Sequence, residues 1–378
     1  LLYRELGNTG LKVSRIGFGA MRLPMAGAGA GAVVDLDKAL PLIHHAFELG
    51  VNYIDTAIFY CNNDSQRAVG AAIKGRRDRI IVSAKNDHKG TDEALWHKKL
   101  NDSLRLMDID YIDVYNIHGL SWREWQEAGE PAISKWLTRA RDQGLVRHIC
   151  ASCHDKPENM IKLIDTGFFE AFTVQYNLLD RSYAPAIEHA RQKGVGIVVM
   201  GPLAGRRVVD SGEAFGAVNA GRDNISELGL RFVLSNPGVT MAISGMKSIA
   251  EIEQNVRVAS DEAALSPQDR SAIDAHCDKL KAAANLYCTG CEYCMPCPQN
   301  VRIPRIFAVY NLARVYKSWP AARADYQGIA PNTWDPQAQL ATACNDCGAC
   351  EKKCPQKIQI RRQLKEAHQA LSPENEPG

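Results

Sequence analysis

Three apolar runs in the first third of the chain each end on side chains that a strand interior tolerates poorly. The run NYIDTAIFY, Asn52 to Tyr60, delivers the carboxyl of Asp55 and the phenol of Tyr60; IIVSAKN carries Lys85 near its end, and DVYNIH closes on His118. Lysine is almost never buried unpaired, and a lone polar group at the end of an apolar strand costs stability. Three such endings in succession point to one assembled site. Acid–base chemistry at such a site needs a proton donor, a group that makes the donor acidic enough, and a polar group that orients the substrate. A phenol has an ordinary pKa of about 10, too high for easy donation at neutral pH. A neighbouring ammonium favours the phenolate and lowers that value, so Tyr60 beside Lys85 makes a usable acid.

A second set of reactive side chains lies near the other end. Of twelve cysteines, eight form two runs, Cys288, Cys291, Cys294, Cys297 and Cys344, Cys347, Cys350, Cys354, with Pro after the last of each. Steps of C-x-x-C this tight favour metal over disulfides. Each thiolate can bind one iron, and short turns let three neighbours grip one cube while the fourth reaches across. Two [4Fe-4S] clusters use all eight thiols. Two Cys₄ zinc sites would use the same number, although zinc sites usually come as two separated C-x-x-C knuckles. Cys61, Cys150, Cys153 and Cys277 are scattered and read as buried thiols, with Cys61 placed to reach the pocket beside Tyr60.

Positioning these groups requires a repeating scaffold. Leu2 to Val13 alternates around Gly7 and Gly10, which predicts a hairpin. Eight strand-like runs come next: Arg15 to Ala20, Asn52 to Ala57, Ile80 to Asn86, Ile112 to His118, His148 to Cys153, Ala171 to Asn177, Gly196 to Leu203 and Thr240 to Met246. Between them lie amphipathic stretches such as Asp37 to Leu49, Asp92 to Leu106, Pro131 to Gln143, Pro157 to Asp165 and Pro185 to Lys193. Alternation of this kind implies parallel strands with crossover helices, and eight units in about 250 residues match a (β/α)₈ TIM barrel, whose C-terminal strand ends share one catalytic face. The string MAGAGAGAV, with Gly27, Gly29 and Gly31, neither closes a strand nor opens a helix in the dinucleotide pattern, so it reads as a flexible loop. Ile249 to Ala259 and Ser266 to Ala282 are further helices. Arg305 to Lys317 is a short amphipathic helix, Trp319 to Gln339 an irregular insertion, and Arg361 to Leu371 a charged surface helix before the disordered-looking SPENEPG. The expected layout is a barrel over residues 1–284, a cysteine domain of α+β type over 285–360 and a helical tail over 361–378.

Composition narrows the partners. The 378 residues are 46% hydrophobic with a net charge of +2, enough for one sizeable core and a smaller unit. Near-neutral charge gives no reason to expect nucleic acid or an anionic membrane, and KGRRDR, Lys74 to Arg79, reads as a solvated helix end. No apolar run approaches the roughly 20 residues that span a bilayer, and no signal-peptide apolar region opens the chain. The expectation is a soluble cytoplasmic protein.

Asp-x-x-x-x-Tyr, Lys in S-A-K and His in N-I-H together resemble the catalytic tetrad of the aldo/keto reductases. The segments LGNTGLKVSRIGFGAMRLP, VQYNLLDRS, GPLAG and SGMKSIAEIEQN are similar to that family too, covering about the first three-quarters of the chain. The resemblance implies that the hairpin plugs the barrel floor, that Asp55 pairs with Lys85, and that His118 bonds the carbonyl oxygen. It also implies a site for NADH or NADPH. Ser152 and Gln175 match positions that hold the carboxamide, Gly201 to Leu203 and Ser244, Gly245 and Lys247 match turns around the pyrophosphate and adenosine, and Gly19, Met21, Met200 and Asn255 match further contacts. Three residues depart from the pattern: Cys153 replaces an Asn of many relatives, Met200 an aromatic ring, and Glu251 an Arg of NADP-preferring members. The second cysteine run has the C-x-x-C-x-x-C-x-x-x-C-P spacing of bacterial ferredoxins. By that resemblance Cys288, Cys291 and Cys294 with Cys354 hold one cluster, and Cys344, Cys347 and Cys350 with Cys297 the other. The whole resembles an anaerobe-type reductase of a small carbonyl compound that carries electrons through two [4Fe-4S] clusters, with a ferredoxin or flavoprotein as a redox partner. A ferredoxin-linked reductase without nicotinamide, or an electron-transfer subunit with a docking barrel, fits the same residues. Trp122 and Trp125 in GLSWREW either shape the substrate pocket or pack on a helix face.

Overall fold

The computed structural model describes residues 1–219, 224–261, 265–283, 288, 292–332, 335–355 and 357–372. The chain opens on an antiparallel hairpin, β1 (Tyr3–Glu5) and β2 (Lys12–Ser14). The first barrel strand is β3 (Ile16–Gly19), after which β4 (Met25–Ala26) and β5 (Val33–Val34) make a second small hairpin. The remaining strands are β6 (Tyr53–Asp55), β7 (Ile81–Asn86), β8 (Ile112–Ile117), β9 (Val146–Cys153), β10 (Ala171–Gln175), β11 (Gly196–Met200) and β12 (Met241–Ser244). From β3 and β6 onward each strand is hydrogen-bonded to its chain neighbour, and β12 closes on β3, giving a closed parallel barrel of eight strands. The expected (β/α)₈ architecture is therefore the observed one. Several expected runs continue past the observed strands, as at Ala57, His118, Leu203 and Met246, because the apolar pattern persists at the mouth after the ladder hydrogen bonds have stopped.

Helices cover the barrel, so its strands are buried on both faces. The helix Leu36–Glu48 buries Ala39, Leu42, Ile43 and Ala46, a 3.6-residue stripe, and starts where the Asp35 side chain accepts from the Lys38 N–H. The helix expected from Pro131 to Gln143 becomes regular only at Ser134. Proline offers no N–H to the regular ladder, and the backbone runs as a π-helix over Trp125–Ile133 before a regular helix over Ser134–Asp142. Trp125 is buried against Phe168 and Phe169, with ring centres 5.3 and 4.9 Å away, while Trp122 packs beneath Lys162. Both tryptophans thus serve packing.

The opening hairpin closes the barrel floor. Leu6 and Val13 are fully buried in a lumen core with Tyr53, Val114, Val198 and Met241. Gly7 permits that seating: its φ is +54°, and a Cβ there would lie 2.4 Å from the backbone nitrogen of Gly196. Arg4 Nη1 donates to the Val239 carbonyl at 3.1 Å and Arg15 to that of Leu234, tying the floor to the segment before β12.

Contacts divide the chain into two compact units, Leu1–Pro202 with Gly229–Leu265, and Leu203–Leu228 with Ser266–Gly378. The second contains the helices Pro267–Ala283, Ile303–Tyr316, Trp319–Gln327 and Ile360–Leu371. Its strand pairing among the described residues is one parallel bridge, Val301 to Gln339. The segment expected to be irregular from Trp319 to Gln339 begins as a nine-residue helix with Pro in its first turn. Tyr326 on that helix bonds His368 Nδ1 at 2.9 Å. The Ile360–Leu371 helix buries Ile360, Leu364, Ala367 and Leu371, so it has a packed face as well as a charged one. Residues 373–378 of the SPENEPG tail lie outside the described residues.

Gly10 also has positive φ, +74°, but a Cβ there meets nothing within 4 Å. Gly10→Ala should therefore carry only the left-handed penalty of about 1–2 kcal/mol. Gly7→Ala adds overpacking of about 1–3 kcal/mol. Urea midpoints in the order wild type, Gly10→Ala, Gly7→Ala check this; equal losses for the two would contradict the close approach.

Candidate active site and cysteine-lined cavities

Strand register assembles the polar core of the barrel mouth. Asp55 ends β6 opposite Ser83 of β7, and Lys85 of β7 lies opposite Asn116 of β8. Lys85 Nζ donates to Asp55 Oδ1 at 2.5 Å and to the Thr56 carbonyl at 3.0 Å, while Ser83 Oγ donates to Asp55 Oδ2 at 2.8 Å. Asn116 Nδ2 donates to Ser83 Oγ at 3.2 Å. Asp55 and Lys85 are 2% and 1% exposed, so each charge depends on the other and on these hydrogen bonds. Ser83 and Asn116 were not anticipated. Each stands two residues before an anticipated group, and period-two alternation puts both on the same strand face; polar residues at those positions were the available signal.

Tyr60 comes after β6 on a turn that brings its ring to Lys85, whose Nζ lies 4.9 Å from the ring centre. Burial raises the phenol's pKa above its ordinary value; the Lys85 charge and hydrogen bond pull it down, and Asp55 pushes it up. The net shift is upward, against the lowering expected from the sequence, because burial outweighs the Lys85 charge, and Tyr60 stays protonated. For Lys85, burial alone disfavours the ammonium, but Asp55 and Tyr60 outweigh it and raise its pKa. His118, just past β8, is held neutral: burial first, then the Lys85 charge, lowers its pKa to about 3. Its ring stacks on Phe59, with centres 4.7 Å apart and planes 4° apart, and meets Tyr60 edge-on at 6.0 Å. The four anticipated residues are thus brought together. Cys61 is turned away, its Sγ reaching the carbonyls of Ala20 and Met21 at 3.5 and 3.4 Å.

The anticipated nicotinamide contacts are less uniform. Gly19 packs on Ser244 and Gly245, and Asn255 Nδ2 donates to Ser244 Oγ at 3.3 Å. Gln175 and Met200 are register partners at the ends of β10 and β11. Ser152 is buried and its Oγ accepts the Gly119 N–H at 2.8 Å, leaving its own hydrogen to donate. Gly201 has a φ of +60° and open space around it. Met21 is more than half exposed, and Leu203 belongs to the second unit. Cys153 is buried beneath Tyr183. Glu251 holds a capping position: its Oε2 accepts the Lys247 N–H at 2.7 Å and its own N–H donates to Ser248 Oγ.

In the second unit, cysteines from both runs line each of two cavities. Cys288, Cys294 and Cys354 face one with Phe307 and Ile358. Cys297, Cys344, Cys347 and Cys350 face the other, beside Lys353 and Arg361. Cys294 touches the second as well, and Cys291 lies outside the described residues. Among the described residues, no three His, Cys, Asp or Glu side chains are grouped tightly enough to hold one metal ion. Thiolates on one zinc lie within about 4.6 Å of each other, twice the Zn–S bond. Around a cube each thiolate binds its own iron, so the ring is wider. Linings of several thiols in each cavity fit iron–sulfur cubes, whose irons each take one thiolate.

A barrel with this mouth and these strand ends has recognisable relatives. The Aldo/keto reductase family profile matches residues 15–278, well over half of the chain, and a 4Fe-4S dicluster domain profile matches residues 287–359. The chain belongs to the aldo/keto reductase family, a family of oxidoreductases, and carries a C-terminal ferredoxin-type domain. It is 26% identical to L-galactose dehydrogenase of Arabidopsis thaliana over 68% of this chain and 88% of that protein. It is 26% identical to pyridoxine 4-dehydrogenase of Escherichia coli, over 69% and 94%. Among solved structures, an aldo-keto reductase of Bacillus halodurans in its holo form superposes with a TM-score of 0.63 and 26% identity, covering 72% of this chain and 95% of that one. A Klebsiella pneumoniae aldo/keto reductase in complex with NADP and acetate shares the fold, with a TM-score of 0.59 and 24% identity over 71% and 93%. Among the described residues no helix is long and apolar enough to cross a membrane.

Two outcomes are expected from the buried charges. Lys85→Met leaves the Asp55 carboxylate without its cation and should cost about 3–5 kcal/mol; adding Asp55→Leu should recover part of that loss in a double-mutant cycle of urea midpoints. His118 has a folded pKa of about 3, against about 6.5 for an exposed histidine. Between those values the unfolded chain binds a proton that the folded chain refuses, so this group's contribution is whole above about 6.5 and falls as the pH drops. His118→Asn should flatten that part of the stability profile.

Proposed function

We propose that the barrel reduces the carbonyl group of a small molecule, with Tyr60 as proton donor, Lys85 as the cation that eases the proton's departure, Asp55 as the anchor of Lys85, and His118 as the neutral donor that orients the carbonyl oxygen. The observation that carries this reading is a protonated phenol beside a buried ammonium whose own counter-charge is fixed from two sides. As negative charge grows on the substrate oxygen, Tyr60 delivers its proton and Lys85 stabilises the phenolate left behind. His118, being neutral, offers an N–H without adding a second cation next to Lys85.

A reduced nicotinamide, when bound, supplies the hydride. Ser152, Gln175, Gly201, Ser244, Gly245, Lys247 and Asn255 are the residues that would hold it. Glu251 supports a preference for NADH, since its carboxylate sits at the helix end over Ile249–Ser260 where a 2′-phosphate would otherwise find free N–H groups. In the second unit we assign two [4Fe-4S] clusters, one to Cys288, Cys291, Cys294 and Cys354, the other to Cys297, Cys344, Cys347 and Cys350; clusters pass single electrons, which calls for a ferredoxin or flavoprotein partner. The same cysteine cavities support a second reading, in which electrons reach the substrate from such a partner and no nicotinamide is used.

Anaerobically purified protein should contain about eight irons with matching sulfide. Titration with NADH or NADPH separates the two readings: binding supports the first, and no binding of either removes it. Tyr60→Phe should abolish carbonyl turnover with iron content unchanged, and retained turnover would discard the donor role. Glu251→Arg should shift preference towards NADPH by about tenfold, equivalent to about 1.4 kcal/mol; no shift would mean that Glu251 does not meet the cofactor.

A further inference from the structure

A histidine that works through one ring nitrogen is ordinarily aimed by a hydrogen bond at the other. His118 lacks that bond, because its Nδ1 is buried and meets no partner. An orphaned acceptor is better tolerated than an orphaned N–H, so the neutral ring carries its proton on Nε2. Something other than a hydrogen bond must then keep the imidazole plane from turning.

The contact that can do so is aromatic. Phe59 lies parallel to the imidazole, with centres 4.7 Å and planes 4° apart. Tyr60 stands edge-on to both rings, 5.6 Å from Phe59 at 82° and 6.0 Å from His118 at 83°. A flat ring on one face, with the Tyr60 ring standing at the side of the stack, restricts rotation of the imidazole. Phe59 is itself fixed by the turn beyond Tyr60. Cys61, Asn62 and Asn63 are consecutive left-handed residues, with φ of 52°, 54° and 68°. Asn62 Nδ2 donates to the Gly29 and Ala32 carbonyls, both at 3.1 Å, and Asp64 Oδ2 accepts the Val34 N–H at 2.7 Å. This strap to the β4–β5 hairpin holds the Phe59–Tyr60 pair in place.

We propose that Phe59 is a positioning residue whose ring sets the imidazole plane of His118, replacing the missing hydrogen bond at Nδ1 so that Nε2–H faces the carbonyl oxygen. The inference deepens the assignment of His118 made above and rests on it for its catalytic consequence. Lys85, Asp87, Lys89 and His154 are the charged or titratable groups that act on His118, with Tyr60 beside it, and none of them bonds Nδ1.

Nitrogen NMR of histidine-labelled full-length protein reads the ring directly, with the His118 signal identified by its loss in His118→Asn. In the wild type His118 should be a single Nε2–H tautomer that does not titrate near neutrality. Phe59→Leu keeps bulk but removes the flat face; it should mix the tautomers, raise the His118 pKa towards about 6.5, and lower kcat on a model aromatic aldehyde by about tenfold to a hundredfold with nicotinamide affinity unchanged. Phe59→Tyr should restore both readouts. Phe59→Met serves if the Leu variant does not fold. An unchanged tautomer and pKa in the Leu or Met variant overturns the proposal, even where Tyr60→Phe is inactive and the carbonyl-reducing assignment stands. A mixed tautomer in a protein that turns over no carbonyl leaves the ring-positioning inference in place and sinks the function instead.

Discussion

The site depends on one buried ion pair. Taking Asp55 and Lys85 out of water costs several kcal/mol for each charge, and attraction offsets that only with good geometry and satisfied remaining valences. Both Asp55 oxygens are engaged, and Lys85 has the Thr56 carbonyl and Tyr60 besides its counter-ion. Those partners come from neighbouring strands and the turn after β6, so the pair is as much a product of barrel closure as of the residues themselves. A slip of register by one residue would turn Ser83 and Lys85 to the other face together.

Opposing forces on the surrounding rings arise from that charge. Burial favours the neutral phenol and neutral imidazole, and the Lys85 ammonium acts on the two in opposite senses, easing proton loss from Tyr60 and resisting proton gain by His118. One fixed cation therefore offsets part of the burial effect on Tyr60, whose pKa still stands above its ordinary value, and adds to the burial that keeps His118 neutral.

Much of this was legible in the residues. A lysine after an apolar run and a histidine after another are costly enough to announce themselves, and C-x-x-C steps carry their own chemistry. Ser83 and Asn116 were less visible because a buried serine or asparagine is common and inexpensive when bonded. The strap after Tyr60 was hidden for another reason: asparagine hints at a left-handed turn, but cysteine does not, and the glycine-rich segment it grips looked merely flexible. The helix over Trp319–Gln327 did show a signal, Pro in its first turn and then alanines, that the surrounding irregular composition masked. Segment Leu203–Leu228 falls within the barrel expected over residues 1–284, whereas its contacts group it with the later helices, since helical periodicity does not say which compact unit a helix joins.

The crossed lining of the cysteine cavities has a topological consequence. Each cavity draws thiols from both ends of the segment between Cys288 and Cys354, so filling either one ties a long loop shut, and the gain from restricting the unfolded chain grows with loop length. Under the crossed ligation proposed above, neither half of the segment would complete a cage alone, and during synthesis the early cysteines would wait for the late ones to leave the ribosome.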